Sequence, residues 1–411
     1  MYRGGFGDGD RQDITMRIVL VEDGWDKFRP LTITRPLAEI RVGAMTFVER
    51  IERLFPDSRV SVMTRPYVNE AYRARWSRLV GRVPEGEGGL LVLRPNAIYD
   101  FSFREAVLDA GTGTLFRSEN NVLGVLIDGD EIPDRLESNG YKELEVGAIP
   151  IPAIWDAVNL NGDAIKQDFE EFYKPERAGT VHPMASLYDE QSIFISGGTE
   201  IMAGAVLDAR EGPIIIENSE IRPGTIIQGP CYIGSNCVAV SGWIRQGCSF
   251  GPGCRFGGEV ESSIFQGCSN KYHEGFLGHS YIGEWVNLGA LTTTSDLKNN
   301  YGEIRVDMGD GQVRTGRIKV GSFIGDHSKT GIGALLNSGT CIGVNVNHYG
   351  TGLPPKNIPH FSWGTAEGYI EYDLEKAIAT AKIVMERRGV IMLEEEEQML
   401  RAIFSTRKVQ I

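Results

Sequence analysis

The sequence contains no apolar stretch approaching the roughly 20 residues of a membrane-spanning helix. Its N-terminus, MYRGGFGDGDRQDIT, is polar and lacks the apolar centre of a signal peptide. Positive charge is also scarce, because 42 Lys and Arg face 55 Asp and Glu, for a net charge of −13. Nucleic acids and anionic membranes bind concentrated positive charge, so neither is an expected partner. We predict a soluble cytoplasmic protein whose residues 1–15 form a disordered extension.

Cysteine motifs for metal binding or redox chemistry are absent as well. All six cysteines lie in the second half of the chain, and no two form a Cys-x-x-Cys pair. This excludes a zinc ribbon and a thioredoxin-type site. The spacing of the cysteines follows a period of six residues instead, and that period has a structural explanation.

Large aliphatic or aromatic residues recur every six positions in the second half. They include Ile195, Ile201, Leu207, Ile215, Ile221, Ile227, Ile233, Ile244, Phe250 and Phe256. Small residues follow four positions after such large ones, among them Cys231, Cys237, Cys248, Cys254, Cys268, Ser280, Thr292, Ser322, Ser328 and Thr340. One large and one small inward residue on each of three flat faces make a coil of about 18 residues. The pattern is typical of a left-handed parallel β-helix with hexapeptide repeats, in which five of the cysteines are reduced, small core residues.

The first half alternates between strand-like and helix-like segments. The runs RIVLVED, SRVSVM, GGLLVL and LFRSENNVLGVLID predict buried strands, whereas AMTFVERIERLF, NEAYRARW and FREAVLDA predict helices between them. This alternation predicts a Rossmann-like α/β domain with a mostly parallel sheet and with ligands at the carboxyl ends of its strands. The segment from Ile154 onwards predicts a helical exit from this domain, with Asn161 or Asp163 as a helix cap.

The end of the chain changes character again. LPPKNIPHFSWG predicts a proline-rich wrap, and apolar residues at helical spacing from about residue 366 to 404 predict C-terminal helices without a catalytic role. The predicted units are an extension at 1–15, the α/β domain at 16–175, a linker at 176–190, the β-helix at 191–350, and the wrap with C-terminal helices at 351–411.

Two of the six histidines, His273 and His279, lie close together in the β-helix region. One hypothesis is a zinc site, which in a β-helix needs a third histidine from a neighbouring face or subunit. The other is acyl transfer from a thioester to an amine. A histidine can accept the proton of the attacking amine at neutral pH, because its ordinary pKa is near 6.5.

The stretch HEGFLGHSYIGEWVNLGA, residues 273–290, resembles the acetyltransferase half of the bifunctional N-acetylglucosamine-1-phosphate uridyltransferase/glucosamine-1-phosphate acetyltransferase family. In that family the histidine base is followed by Leu-Gly at +4 and +5, by an aliphatic residue and Gly at +9 and +10, and by a sugar-binding asparagine at +14. Counting from His273 reproduces this spacing and ends at Asn287, whereas counting from His279 does not. The resemblance implies that His273 is the catalytic base and that Asn287 binds the sugar.

The same resemblance implies further contacts. IRQGCSFGPGCRFGGEVE is similar to the family's phosphate-binding segment, which assigns the substrate phosphate to Arg245, with Lys271 as another substrate contact. Ala290 and Lys298 are expected to contact acetyl-CoA. Phe276 stands where the family has a tyrosine.

The first half has a resemblance of its own. RPLTITRPLAEIRVGAMTFVERI, together with SDLKNNYG and PHFSWG, is similar to a divergent branch of the sugar nucleotidyltransferases that carries such a β-helix at its C-terminus. Ordinary members open with a glycine-rich Gly-x-Gly-Thr-Arg loop, but here RIVLVED is followed by GWDKFRPLTITRP. Nucleotide phosphates would then depend on Arg29, Arg35 and Arg41, and Asp23 is the candidate Mg²⁺ ligand.

These resemblances predict an enzyme of sugar-nucleotide metabolism. Its β-helix would acetylate an amino-sugar 1-phosphate with acetyl-CoA, and its N-terminal domain is a candidate for nucleotidyl transfer from an NTP to a sugar 1-phosphate. Acyltransferase sites on such prisms lie between neighbouring copies, so we predict a homotrimer. The alternative is a non-catalytic sugar-nucleotide-binding or scaffold protein with degenerate sites.

Overall fold

The structure is a computed structural model that describes residues 16–76, 78–137 and 140–407. The extension predicted at residues 1–15 lies outside the described residues. The α/β domain contains a seven-stranded sheet with four parallel and two antiparallel pairings, so the predicted Rossmann-like, mostly parallel sheet is confirmed. In spatial order its strands are Lys142–Glu145, Thr114–Ser118, Asn121–Ile127, Leu90–Leu93, Arg17–Val21, Arg59–Met63 and Leu79–Val80.

The helices of this domain begin where the sequence supplies a cap. They are α1 (Phe47–Leu54), α2 (Pro66–Trp76), α3 (Phe101–Asp109) and α4 (Ile154–Phe172). The Thr46 hydroxyl accepts the N–H of Glu49 while the Glu49 carboxylate accepts the N–H of Thr46, which is a capping box at the start of α1. The prediction that Asn161 or Asp163 caps a helix is wrong, because α4 begins at Ile154 and runs through both positions.

The second half is a parallel β-helix with three faces, as the hexapeptide repeat predicts. Face 1 has ten parallel strands: Glu176–Arg177, Ile193–Ile195, Ile214–Ile216, Cys231–Ile233, Cys248–Phe250, Ile264–Gly267, Tyr281–Glu284, Phe323–Ile324, Cys341–Ile342 and Asn357–Ile358. Face 2 consists of Thr180–Val181, Glu200–Ile201, Glu220–Ile221, the first parts of Val238–Ile244 and Arg255–Glu261, then Asn270–Lys271, Asn287–Leu288, Lys329–Thr330, Asn347–His348 and Ser362–Thr365, to which Gly368–Glu371 adds an antiparallel strand. Face 3 consists of Ser186–Tyr188, Val206–Asp208, Thr225–Gln228, the last parts of Val238–Ile244 and Arg255–Glu261, then Phe276–Gly278, Thr293–Thr294 and Leu335–Leu336.

Both predicted boundaries of the β-helix are wrong. The segment 176–190, predicted as a linker, forms the first coil, since its three strands each pair in parallel with a strand of the next coil. At the other end the coils continue beyond residue 350, because Asn357–Ile358 and Ser362–Thr365 pair with the preceding coil. The hexapeptide repeat is degenerate in both places, so regular spacing of large residues does not predict these coils.

The core of the prism is formed by the predicted large residues, such as Ile221 and Phe250, which are fully buried. Four of the five cysteines assigned to it are buried as well. Cys268 differs, because it lies partly exposed at a corner with a positive φ of 51°. The six-residue period breaks at 295–320, where an insertion leaves the coil and carries the hairpin of Arg305–Asp307 and Gln312–Arg314.

The α/β domain lies directly against face 1. The Tyr281 hydroxyl accepts the N–H of Arg41 (2.8 Å) and is close to the Arg41 carbonyl (3.0 Å). The Ser249 hydroxyl donates to the Gly43 carbonyl (2.8 Å). Asn161 of α4 joins both units, since it accepts the N–H of Gly43 (2.8 Å) and donates to Ser249 (2.9 Å). The orientation of the two domains is therefore fixed by buried hydrogen bonds.

Two C-terminal helices, α5 (Leu374–Glu386) and α6 (Glu394–Thr406), complete the fold. Helix α6 packs against α2 of the α/β domain. Met399 and Leu400 of α6 share one apolar cluster with Tyr72 of α2 and Trp285 of the β-helix. The C-terminal helices thus cover the junction of the two domains. No helix in the described ranges is long and apolar enough to cross a membrane.

Candidate active sites

His273 lies at the corner between faces 2 and 3, just after the strand Asn270–Lys271, and its side chain is exposed. On the next coil the N–H of Leu291 donates to the Glu274 carbonyl (2.8 Å). This hydrogen bond puts Ala290 at the same corner, one coil away. The structure therefore brings together the residues predicted as catalytic base and as coenzyme contact.

Lys271, predicted to contact the substrate, instead points into the prism. It pairs with Phe256 of the previous coil, and only 2% of its surface is exposed. Its Nζ donates to the carbonyls of Gly257 (3.1 Å) and His273 (2.7 Å). Burial lowers the pKa of Lys271 to about 8, although the charge of Glu274 acts in the opposite direction. An enclosed ammonium cannot touch a substrate at the surface, so this prediction is wrong.

Arg245 lies at the other edge of face 3, at the corner that leads to face 1. Its Nη1 is 2.8 Å from Glu261 Oε2 and 3.3 Å from Glu259 Oε1, and its guanidinium lies over the Trp243 ring, 4.8 Å from the centroid. Lys319, at the end of the insertion, approaches the same Glu261 with its Nζ (3.6 Å). Two cations thus share carboxylates at this edge. Sequence reasoning missed Lys319, which reaches the edge only because the insertion folds back.

His279 occupies the same corner as Arg245. Its backbone has a positive φ of 45°, a conformation that residues other than glycine rarely adopt. Its Nδ1 lies 2.7 Å from Asp296 Oδ2, and both side chains are largely buried. Burial raises the pKa of Asp296, but the hydrogen bond and the charge of His279 outweigh burial, so the pKa is lowered. The sequence analysis did not indicate Asp296, 17 positions away, as the carboxylate partner of His279.

The two neighbouring histidines do not converge on one point. His273 and His279 lie at opposite edges of face 3, and the strand Phe276–Gly278 between them spans roughly 10 Å. Among the residues that the structure describes, no group of three His, Cys, Asp or Glu side chains could hold a metal ion. The zinc hypothesis therefore has no support in this arrangement.

The remaining predicted contacts of the β-helix lie on other surfaces. Asn287 is exposed on face 2, where its Oδ1 accepts a hydrogen bond from Asn270 (3.2 Å). Arg388, which follows α5, donates to Asn270 Oδ1 (2.6 Å). Lys298 lies in the insertion and donates to the Glu303 carbonyl (2.5 Å). Asn287 is thus one short strand, roughly 10 Å, from the corner of Ala290 in the same chain, and Lys298 lies on a separate segment.

In the α/β domain a cleft of about 150 Å³ opens at the carboxyl ends of two central strands, Arg17–Val21 and Leu90–Leu93. The chain continues from the first of these strands toward one side of the sheet and returns to the second on the other side. Ligands of open α/β sheets bind at such a reversal of strand order. The polar residues that line the cleft are Asp23, Lys27, Arg94, Asn96 and Asn121.

The cleft combines charged groups with an unpaired acceptor. Asp23 Oδ2 lies 2.6 Å from Arg94 Nη2, which also lies 2.6 Å from Glu137 Oε1. Asn96 donates to the Ile151 carbonyl (2.9 Å), while its buried Oδ1 has no hydrogen-bond partner among the residues that the structure describes. A carboxylate and a free amide oxygen are ligands that suit Mg²⁺. Asp23 therefore lies where a ligand-binding carboxylate is expected, with Arg94 as a neighbour that sequence reasoning missed.

The arginines predicted to bind nucleotide lie elsewhere. Arg35 is buried at the domain interface, where it pairs with Asp326 and, at 3.5 Å, with Glu284. Burial alone would lower the pKa of Arg35, but these two carboxylates raise it, so the guanidinium stays charged. Arg41 is also buried and donates to the Ala44 carbonyl (2.8 Å). Arg35 thus holds the two domains together and Arg41 is bound within the α/β domain, so the prediction that they bind nucleotide is wrong.

Arg29 pairs with Asp310 of the insertion hairpin. It lines a separate cavity of about 460 Å³, together with Trp25, His360 and Arg407. The segment GWDKFRPLTITRP folds into consecutive short 3-10 turns, which aim its arginines away from the strand ends. The even spacing of the arginines in the sequence therefore did not translate into one cluster.

Comparison with known proteins finds a family model for the first half of the chain. Residues 18–176 match the family model described as sugar nucleotidyl transferase. The match covers almost the whole α/β domain. The chain is also similar to a bifunctional sugar-1-phosphate nucleotidylyltransferase/acetyltransferase of Sulfurisphaera tokodaii, with 34% identity over 132 residues, which cover 32% of this chain and 28% of that protein.

A second relative is the bifunctional protein GlmU of Methanococcus aeolicus, with 32% identity over 253 residues that cover 60% of this chain and 51% of the relative. The chain thus spans about half the length or less of these curated relatives. The resemblance to the bifunctional family is confirmed at this degree of divergence. Among solved structures, a Francisella novicida UDP-N-acetylglucosamine acyltransferase aligns with 55% of this chain and 79% of its own, at 13% identity and a TM-score of 0.32.

One signal in the sequence of the α/β domain could have located its cleft more fully. Arg94 directly follows the apolar run GGLLVL, and Asp23 follows RIVLV. Polar residues immediately after buried strands lie at the carboxyl edge of the sheet. Lys27, on the segment after Asp23, lies there as well.

Proposed function

We propose that this protein is a bifunctional transferase of sugar-nucleotide biosynthesis. Its β-helix transfers an acetyl group from acetyl-CoA to the amine of an amino-sugar 1-phosphate, with His273 as the general base. The observation that carries this proposal is the corner of the prism where exposed His273 and Ala290 lie on adjacent coils. The similarity to a bifunctional nucleotidylyltransferase/acetyltransferase supports it.

The chemistry needs a proton acceptor beside the attacking amine. His273 takes a proton from the amine as the amine attacks the thioester carbonyl. The tetrahedral intermediate then collapses to the amide with loss of the CoA thiolate, which takes up the proton from His273. The exposed ring of His273 is accessible to such a substrate. The N–H groups of the corner are candidates to stabilise the oxyanion.

The phosphate of the acceptor would lie at the other edge of face 3. Arg245 and Lys319 supply two positive charges there, on either side of Glu261. The strand of Phe276 separates them from His273 by roughly 10 Å, a distance that a sugar 1-phosphate can span. The phenyl ring of Phe276 then offers an apolar surface to the sugar in place of a tyrosine hydroxyl.

We further propose that three prisms assemble with these surfaces between them. The outward column of face 3 contains Ile226 and Trp243, which are 41% and 42% exposed, and its last strand contains Leu335, which is 46% exposed. Exposed apolar residues in one column are typical of a protein–protein interface. In such a trimer we expect Asn287 and Lys298 to line the groove of a neighbouring copy.

For the sugar nucleotidyl transferase domain we propose transfer of a nucleotidyl group from an NTP to a sugar 1-phosphate in the cleft of Asp23. Asp23 and Asn96 would hold Mg²⁺, which would neutralise charge on the triphosphate. Lys27 and Arg94 would bind phosphate oxygens. The six free cysteines and these substrates are in keeping with the predicted cytoplasmic location.

One observation favours the alternative of a non-catalytic sugar-nucleotide-binding domain. Arg94 is already neutralised by Asp23 and Glu137, and the segment after Val21 has no glycine-rich phosphate loop. A domain of this kind would bind a sugar nucleotide without cleaving a triphosphate. Pyrophosphate release distinguishes the two functions.

The acetyl-transfer proposal is tested with glucosamine 1-phosphate and acetyl-CoA, by following release of the CoA thiol. We expect His273→Asn to lower kcat/KM by about 100-fold or more, because general-base catalysis contributes 10²–10⁴-fold. His182→Asn is the matched control, since His182 is exposed on the first coil and should leave the rate unchanged. Equal rates for wild type and His273→Asn would contradict the assignment of the base.

The nucleotidyl-transfer proposal is tested by incubating N-acetylglucosamine 1-phosphate with each NTP and Mg²⁺ and measuring pyrophosphate. Asp23→Asn should abolish release, whereas Asp57→Asn, at an exposed loop, should not. Binding of the sugar nucleotide without pyrophosphate release by the wild type would establish the binding alternative instead.

A further inference from the structure

Lys271 occupies a position that the preceding coils and the next coil fill with apolar side chains. The register of face 2 aligns it with one inward residue per coil: Ile201, Ile221, Ala239 and Phe256 on preceding coils, and Leu288 on the next. All of these are buried, and Lys271 is buried with them. Burying the charged ammonium of a lysine in such a column costs desolvation free energy, which an isoleucine there would not cost. A lysine at this position therefore indicates a specific role.

The ammonium group has two partners, and both are backbone carbonyls of the corner between faces 2 and 3. It donates to the Gly257 carbonyl (3.1 Å) and to the His273 carbonyl (2.7 Å). Gly258 leaves room for it, because a Cβ at that position would lie 2.8 Å from Nζ. The side chain thus ties the backbone of His273 to the preceding coil through the interior of the prism.

Other restraints on this histidine are few. Its ring packs edge-on against the Tyr272 ring, with 5.2 Å between centroids, and is otherwise exposed. Gly275, two residues later, has a φ of 124°, so the chain after His273 turns through a conformation that glycine alone adopts readily. The bond from Lys271 therefore fixes the point from which the His273 side chain projects.

We infer that Lys271 is a positioning residue for His273, holding the corner from inside so that the imidazole meets the acceptor amine in one geometry. The inference rests on the proposed acetyl transfer. It explains why this coil alone among its neighbours carries a charge in the inward column. Displacement of a catalytic group by about 1 Å can lower the rate 10²-fold. Loss of the hydrogen bond from Lys271 to the His273 carbonyl should therefore lower the rate of the chemical step.

The test compares Lys271→Met with Lys329→Met. Methionine is unbranched like lysine, keeps most of the length of the side chain and suits an apolar core. Lys329 is the matched control, because its Nζ likewise donates to a carbonyl, that of His327 (2.7 Å), at a different corner. Readouts are kcat and the acceptor KM for acetyl transfer, and the imidazole NMR signal of His273, assigned with His273→Asn. Melting temperatures report any general loss of stability.

For Lys271→Met we expect kcat to fall about 10- to 100-fold with a KM within about 2-fold of wild type, together with a shifted His273 signal. Lys329→Met should leave both unchanged. Wild-type kcat and an unshifted signal in Lys271→Met would overturn the inference. If the wild type shows no acetyl transfer, the proposed function fails, and the NMR comparison still decides whether Lys271 positions His273. Should Lys271→Met not fold, Lys271→Gln is measured in the same way, since its shorter amide cannot reach both carbonyls.

Discussion

Raising the pH from 7 to 10 should stabilise the wild-type chain more than the Lys271→Met variant. Burial lowers the pKa of Lys271 to about 8 in the folded protein, from an ordinary value of 10.5. Between these two pKa values the folded state has released the proton and the unfolded state still holds it. The unfolded state then binds more protons, so the free energy of unfolding increases with pH.

The size of the effect follows from the gap between the two pKa values. Each pKa unit corresponds to about 1.36 kcal/mol, so the full difference is about 3 kcal/mol, of which about 2.5 kcal/mol is gained between pH 7 and pH 10. Other titrating groups, including Lys329 with its own lowered pKa, are present in both proteins and cancel in the comparison. The double difference between the two proteins and the two pH values isolates Lys271.

Urea denaturation followed by circular dichroism at pH 7, 8, 9 and 10 measures this difference. Lys142→Met is the control, because Lys142 is exposed on the edge strand of the α/β sheet and its ammonium is hydrated in both states. We expect Lys142→Met to follow the wild type. A Lys271→Met variant whose stability changes with pH in parallel with the wild type would show that Lys271 is not a buried ammonium, and the positioning argument would lose its basis.

Three further predictions concern stability and thiol reactivity. Asp168→Ala should lower the free energy of unfolding by about 3–5 kcal/mol in urea denaturation, because it leaves buried Arg50 without its carboxylate partner. Glu70→Ala, at an exposed ion pair, should lower it by less than about 1 kcal/mol. A loss of less than about 1 kcal/mol for Asp168→Ala would refute the importance of the buried ion pair. Thr46→Ala removes the cap of α1 and should cost about 1 kcal/mol in the same assay, so an unchanged midpoint would count against the capping box. Burial raises the pKa of Cys248 to about 12, so a thiol reagent at pH 8 should label it only after unfolding, and rapid labelling of the native protein, detected by mass spectrometry, would contradict its burial.

Elements that depend on local periodicity could be predicted well. Helices α1, α2 and α3 lie within or around the predicted segments, since an amphipathic stripe and a capping residue are both encoded within a few positions. The three faces of the β-helix followed from the alternation of large and small residues, because each coil repeats the same burial. Where the repeat weakens, as in the first coil after Pro175 and the last coils after residue 350, the prediction missed strands that only pairing with the neighbouring coil stabilises.

The candidate sites were predicted less well. Asp23 lies in the cleft of the α/β domain, and His273 and Ala290 share one corner of the prism. Arg35 carries the same charge as a phosphate-binding arginine, yet its carboxylate partner, Asp326, is 291 positions away. No local pattern reports such a partner.

The sequence by itself determined that the chain contains an α/β domain and a β-helix. The six-residue repeat and the alternation of strand-like and helix-like segments indicate which side of each segment is buried. Only the tertiary structure decided the tasks of individual charged residues. The same lysine is a substrate contact if it faces outward and an internal tether if it faces inward, and the register of Lys271 with Phe256 settles that choice. The partner of a buried charge is set by which distant segments meet, and that depends on the packing of whole domains.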